Sequence, residues 1–300
     1  MMKDWRYWRN LLLSGLGVFV LFMVVGLLFL AREQALMYMQ PARVVRGEGD
    51  NPGSYGVVYE DVVLTAVDGI QLQAWYTPPQ NGIVVLVAHG HADARVTGLH
   101  TMFAQAGYGV LSWDFRAHGA SEGEFTTIGY HEVRDVEAAL EYALGQTGVE
   151  HIVGWGGSMG GATMVLVAAE RPEIEAVVVD SAFASLEEVM NNVIQIDWMQ
   201  APIRYFAERQ VDDGSGGSID DVRPIDVIGE ISPRPVLLIY GLWDGMFPPD
   251  TGERMYAAAA EPKALWVEPE VAHLEMRSKY PEEYEARILA FLEMALADHD

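Results

Sequence analysis

The sequence predicts an α/β fold, a mostly parallel β-sheet with helices on both faces, attached to an N-terminal helix long enough to cross a membrane. Three observations carry that expectation. Short apolar, β-rich runs alternate with helical stretches along most of the chain, the pattern of a parallel sheet covered by helices. Runs such as "GIVVLVAHG" are apolar throughout rather than alternating, as strands buried on both faces are. Between Leu11 and Leu30, "LLLSGLGVFVLFMVVGLLFL", no residue is charged, and about 20 apolar residues span a bilayer as a helix.

Taken in chain order, the anchor comes first. Trp5, Tyr7 and Trp8 precede the apolar run and Tyr38 follows it, where interfacial aromatic residues sit. A cleaved signal peptide has an apolar region of roughly 7–15 residues with a small-residue site behind it. This run is longer, and "AREQALMYMQ" offers no such site. The expectation is an uncleaved single-pass membrane anchor over residues 1–35. Lys3, Arg6 and Arg9 before the run nearly balance Arg32, Arg43 and Arg46 after it. We expect the N-terminus inside and the domain on the extracytoplasmic side.

Next, 36–56, with "QPARVVRGEGDNPGSYG", is rich in Gly, Pro and charge and reads as a linker to a domain over 57–300. "VVYEDVVLTAVDGIQLQAWYTPP" places two β-rich runs around Asp68-Gly69, a hairpin signal. Further strands are "YGVLSWD", "HIVGW", "IEAVVVD", "RPVLLIYG" and "KALWVEP". Helices are expected in "HEVRDVEAALEYAL", "MGGATMVLVAAE", near "DTGERMYAAAA" and in "YPEEYEARILAFLEMALA". Residues 184–231 break the rhythm: apolar "SLEEVMNNVIQIDWMQAPIRYFAERQ" runs into Gly-rich "VDDGSGGSIDD". Long insertions of this kind are often lids or caps; an extra packed helix with an exposed loop is the alternative.

Composition narrows the function classes. Of 300 residues, half are hydrophobic, which suits one extended domain with a sizeable core. Acidic residues outnumber basic ones 43 to 19, a formal charge of −24. Nucleic acid demands the opposite sign, so no nucleic-acid partner is expected. The chain has no cysteine, which excludes disulfides and thiolate catalysis.

The chemistry centres on "VGWGGSMGGA", five glycines around Ser158. Gly156-Gly157-Ser158-Met159-Gly160 matches G-x-S-x-G, with a strand before it and a helix after it, as a nucleophile elbow requires. Small neighbours make room for a serine in a strained turn. A dinucleotide-type phosphate loop fails, because counting from Gly154 puts Met159 where the third glycine belongs, and no P-loop follows. A serine hydroxyl needs a base and an orienting acid. On this architecture they follow in the order acid, histidine, each after a late strand. Asp244 follows "PVLLIYG" and His273 follows "LWVEP". Asp180, after "EAVVV", is the rival acid. His89 and His91 would need further ligands to hold a metal, and no H-E-x-x-H cluster exists. His118 is expected to order its loop.

The stretches "TAVDGIQLQAWYTPP", "VAHGHADAR", "LSWDFRAHGASEG", "GWGGSMGG", "VVVDSAFASLEEV", "RPVLLIYGLWDGMFPP" and "VAHLE" together resemble the α/β-hydrolases. The resemblance is to the membrane-anchored branch of BEM46-like proteins and the serine aminopeptidase-like (S33-type) domain family, from Tyr59 to the C-terminus. Three positions depart from the family pattern: "RAHG" stands where Arg-Gly-His-Gly is common, "VAHLE" lacks the usual glycine, and His91 replaces a small or apolar residue. The resemblance implies an eight-stranded sheet and a serine hydrolase with Ser158, Asp244 and His273 as catalytic triad. It gives the backbone N–H groups of His91 and Met159 to the oxyanion hole. It implies no cofactor and no metal. The expected partner is a small-molecule acyl substrate, with lipid-like esters among the candidates, cleaved at an ester or thioester through an acyl-enzyme. An aminopeptidase or amidase using the same triad, and an inactive hydrolase fold serving as an interaction module, are the alternatives. The motifs leave oligomeric state open.

Overall fold

The computed structural model describes residues 2–194, 196–211 and 217–297. Part of the Gly-rich stretch of the expected insertion, 212–216, lies outside the described residues. The chain opens with α1 (Met2–Met39), then forms β1 (Glu60–Thr65), β2 (Gln71–Thr77), β3 (Ile83–Ala88), α2 (Thr97–Gln105), β4 (Gly109–Trp113), α3 (Val133–Leu144) and β5 (His151–Gly157). There follow α4 (Met159–Glu170), β6 (Ile174–Asp180), α5 (Leu186–Val193), α6 (Asp197–Val211), α7 (Pro224–Val227) and β7 (Val236–Gly241). The chain closes with α8 (Thr251–Ala258), β8 (Lys263–Glu268), α9 (Met276–Lys279) and α10 (Pro281–Leu296).

The eight strands form one sheet in the order β1-β2-β4-β3-β5-β6-β7-β8. β1–β2 and β2–β4 are antiparallel, and every other pair is parallel. The Asp68-Gly69 hairpin forms as the sequence indicates, with Gly69 at φ 88°. Successive residues of the central strands point to opposite faces, and each face has its own core. Val84, Leu86, Val177, Val179, Val236 and Leu238 pack with α3 and α4 residues such as Leu140 and Val165. Val85, Val87, Ala176, Val178, Leu237 and Ile239 pack with Phe103 of α2 and with Tyr284 and Ile288 of α10. Both faces being covered is why these strands read as unbroken apolar runs. Parallel pairing aligns the C-terminal ends of β3, β5, β6, β7 and β8 along one edge, where ligands of open α/β sheets bind.

α1 is the helix among the described residues long and apolar enough to cross a membrane, with a mean hydropathy of 2.7 over its most apolar stretch, none of which is buried by the protein. It does not end at residue 35, however, but runs through Met39. The stretch expected as a linker is fastened to the domain. Arg43 donates to the carbonyls of Gly119, Ser121 and Gly123, and Arg46 to the Arg95 carbonyl and the carboxylates of Asp50 and Asp93. Those acceptors lie mostly some 50 to 80 positions away in the chain, so local composition gives no sign of them.

Candidate active site

β5 delivers its last residue, Gly157, to the centre of the sheet edge, and the chain turns at Ser158 with φ 52° and ψ −119° before entering α4. A non-glycine residue with positive φ is costly unless its surroundings enforce it. Here the glycines permit it. A Cβ on Gly156 would overlap the Gly160 carbonyl, and one on Gly160 would overlap the carbonyls of Ala88 and His89. The backbone of β3 and the first turn of α4 therefore close around the elbow, and only glycine fits at either position. The Ser158 N–H donates to the Asp180 carbonyl at 2.8 Å, locking the turn to the end of β6.

The loops after β7 and β8 complete the group. His273 Nε2 lies 2.9 Å from Ser158 Oγ, and Nδ1 lies 2.6 Å from Asp244 Oδ2. A carboxylate only accepts, so Nδ1 carries the proton and Nε2 is left to accept from the serine hydroxyl. Asp244 is buried, and its other oxygen accepts the Met246 N–H at 2.9 Å. The Phe247 ring meets the His273 ring edge-on at 5.0 Å. Three residues widely separated in sequence thus form one hydrogen-bonded line.

Asp180 takes no part in that line. Its Oδ2 accepts from the Tyr284 hydroxyl at 2.8 Å and its Oδ1 from the Ser181 hydroxyl at 2.9 Å. Tyr284 accepts in turn from the Trp155 indole N–H at 3.0 Å. Burial pushes the Asp180 carboxyl up to about 6, against the lowering effect of those donors. It braces the elbow from behind, a role that a residue after a strand end does not advertise.

The candidate oxyanion donors, His91 and Met159, line the same pocket as Ser158. Met159 is the first residue of α4, so its N–H has no acceptor within the helix. Gly90 is so close that a Cβ there would lie 3.3 Å from Ser158 Cβ, and this brings the following residue, His91, into the pocket with Ser158 and Met159. The His91 imidazole points elsewhere: its Nε2 lies 2.6 Å from the Tyr38 carbonyl at the end of α1 and must carry the proton there. Burial lowers its pKa. His89 accepts the Phe115 N–H through Nε2, and His118 donates through Nδ1 to the Arg116 carbonyl, so both order their loops. Among the described residues no group of three or more His, Asp or Glu could hold a metal ion.

Above Ser158 lies a pocket walled by Ile128, Met159, Phe183 and Phe247 from the domain, by Met190, Ile194, Ile203 and Ala207 from the insertion, and by Ala35, Tyr38 and Met39 from α1. The insertion therefore roofs the site as packed helices. Sequence reasoning missed the contribution of α1; the interval of four between Ala31, Ala35 and Met39 was its only trace.

Residues 79–220 match the family model described as serine aminopeptidase, S33. The Mycobacterium tuberculosis protein Rv2307c is 34% identical over 220 residues, covering 71% of this chain and 72% of its own. The Escherichia coli K12 protein YfhR is 28% identical over 295 residues, 93% of this chain and 94% of its own. Among solved structures, the Pyrococcus furiosus esterase PF2001 superposes with a TM-score of 0.72 at 24% identity, covering 86% of this chain and 98% of its own.

Proposed function

Because this chain belongs to the α/β-hydrolase superfamily, among the proteins matched by the serine aminopeptidase (S33) family model, we propose that it is a serine hydrolase with Ser158 as nucleophile, acting on carboxylic esters or thioesters with an apolar acyl group. The observation that carries this reading is the Ser158–His273–Asp244 line, at 2.9 and 2.6 Å, on a serine held at positive φ.

In this reading Ser158 Oγ attacks the acyl carbon while His273 Nε2 takes its proton. Asp244 holds the imidazole tautomer and stabilises the charge that forms. The N–H groups of Met159 and His91 receive the developing oxyanion, an interaction typically worth about 3–4 kcal/mol per donor. His273 then protonates the leaving alkoxide or thiolate, giving the acyl-serine, and the same histidine activates the water that releases the acid. No metal or organic cofactor is required.

Ester cleavage is favoured over aminopeptidase action by the pocket wall. An aminopeptidase must hold a charged terminal amine, and burying an unpaired ammonium is strongly unfavourable. Among the described residues that line the pocket, none is Asp or Glu. An inactive interaction module would have no use for the strained serine. The test is labelling with a fluorophosphonate and turnover of p-nitrophenyl esters by the full chain in detergent. Wild type should do both, and Ser158→Ala neither. Full turnover in Ser158→Ala would reject the assignment, and cleavage of an N-terminally free peptide in preference to esters would favour the aminopeptidase.

A further inference from the structure

The apolar run of α1 ends at Leu30, and the very next residue is already part of the domain. Ala31, Ala35 and Met39 are buried at 0%, 2% and 3% exposure, one helical turn apart. Ala31 and Ala35 cluster with Ile194, Met199 and Ile203, whereas Met39 joins the main core together with Ala207 and Val211. α6 therefore runs alongside the last turns of α1, with its N-terminal end level with the end of the apolar run. A helix rises about 1.5 Å per residue, so no spacer separates a bilayer around residues 11–30 from the start of α6.

That end of the insertion exposes large apolar side chains. Ile196 and Trp198 are 52% and 60% exposed, and Tyr205, two turns further along the same side of α6, is 57% exposed. Aromatic residues of this kind settle at the headgroup level of a membrane. The pocket beneath encloses only about 90 Å³, well below a site that swallows a whole drug-sized ligand. An acyl chain longer than a few carbons must continue out of it. The seam between α1 and α6 leads from Ser158 toward the lipid, since Ala35, Ile194 and Ile203 line both the seam and the pocket. A segment removed as a signal peptide would take this wall with it.

We propose that the bilayer is the source of the substrate: a membrane-resident acyl ester reaches Ser158 between α1 and α6, with the last turns of the anchor as one wall and Trp198 and Tyr205 seated among the headgroups. The proposal rests on the reading of Ser158 as nucleophile and on α1 spanning the membrane. It makes the anchor a part of the binding site.

The experiment uses the full chain in phosphatidylcholine vesicles, with p-nitrophenyl palmitate dissolved in the bilayer and p-nitrophenyl acetate in the water. In the double variant Trp198→Glu, Tyr205→Glu, palmitate turnover should fall at least tenfold, while acetate turnover and fluorophosphonate labelling stay within twofold of wild type. Ala35→Leu, which thickens the wall from the α1 side, should lower the palmitate-to-acetate ratio as well. Unchanged palmitate turnover in the double variant, or an equal loss on both esters, would overturn the proposal. So would a change in oligomeric state with palmitate turnover intact, which would assign the exposed stripe to a second copy of the chain. Wild type that neither labels nor hydrolyses acetate would instead bring down the nucleophile assignment, and this proposal with it.

Discussion

Asp180 offers a sharp test of which carboxylate does what. Its side chain is 2% exposed, and burial raises its pKa from 3.8 to about 6. That gap corresponds to ~3 kcal/mol. Because the folded-state value is the higher one, the folded chain binds more protons than the unfolded chain between those two values. The associated stability is complete below pH 3.8 and is lost as pH rises through about 6. Asp180→Asn removes the titrating group but keeps an amide oxygen to accept from Tyr284, and its NH2 can donate to the Ser181 hydroxyl. The substitution should therefore gain on wild type by ~2.4 kcal/mol between pH 4 and pH 7.5. Urea unfolding of the two proteins in detergent, followed by tryptophan fluorescence at a series of pH values, measures the difference directly. A constant difference across that range would refute the reasoning, since it would mean that Asp180 does not take up its proton inside the fold. Labelling of Ser158 separates the two acids: Asp180→Asn should retain it within about tenfold, whereas Asp244→Asn, which spoils the imidazole tautomer, should lose ~10⁴-fold of turnover.

Two further substitutions probe the frame around the site. Gly160→Ala drives a methyl group into the carbonyls of Ala88 and His89; with backbone on both sides unable to yield, we expect a loss above ~3 kcal/mol, read as a fall in melting temperature and disappearance of fluorophosphonate labelling. Glu132→Gln tests the loop beneath the pocket. The Glu132 carboxylate accepts from both hydroxyls of Thr126 and Thr127 and from the N–H groups of Thr127 and Gly129, and these donors with Arg116 lower its pKa despite full burial. An amide turns one acceptor into a donor facing donors, so ~2–4 kcal/mol should be lost at neutral pH in thermal unfolding. The direction of the shift means that this stabilisation is present above the ordinary carboxylate value and fades as pH falls through the lowered one. The penalty should accordingly narrow in acid.

What the sequence disclosed, and what it hid, divides along the range of the interactions. The hairpin at Asp68-Gly69 and the parallel strands were legible because turn chemistry and two-sided burial leave marks within a few residues. Ser158, Asp244 and His273 were legible because each stands at a strand end in a fixed order. α2 was missed although Leu99, Met102 and Phe103 hold its buried face at helical spacing; its nine residues follow a polar loop and are too short to declare themselves. The place of Asp244 after a late strand favours it over Asp180, and what each carboxylate faces, His273 for one and Tyr284 for the other, is visible only in the structure. The stretch 36–56 misled for the same reason. Its glycines and charges look like solvated chain, yet Arg43 and Arg46 spend their donors on carbonyls and carboxylates of distant loops. Such contacts have no periodicity to betray them.

The clamp made by Arg43 and Arg46 has a geometric consequence. A head joined to its tether by loose chain can tumble, reach upward and sample the solution above it. Here the chain leaving α1 is held at both ends, by the Tyr38 and Met39 carbonyls to His91 and Thr126 and by the two arginines to the loops beyond. α1 and the domain then move as one rigid piece. On the membrane-spanning reading of α1 proposed above, its encounters would be those of a body sliding in two dimensions, governed by lateral diffusion and surface density rather than by bulk concentration.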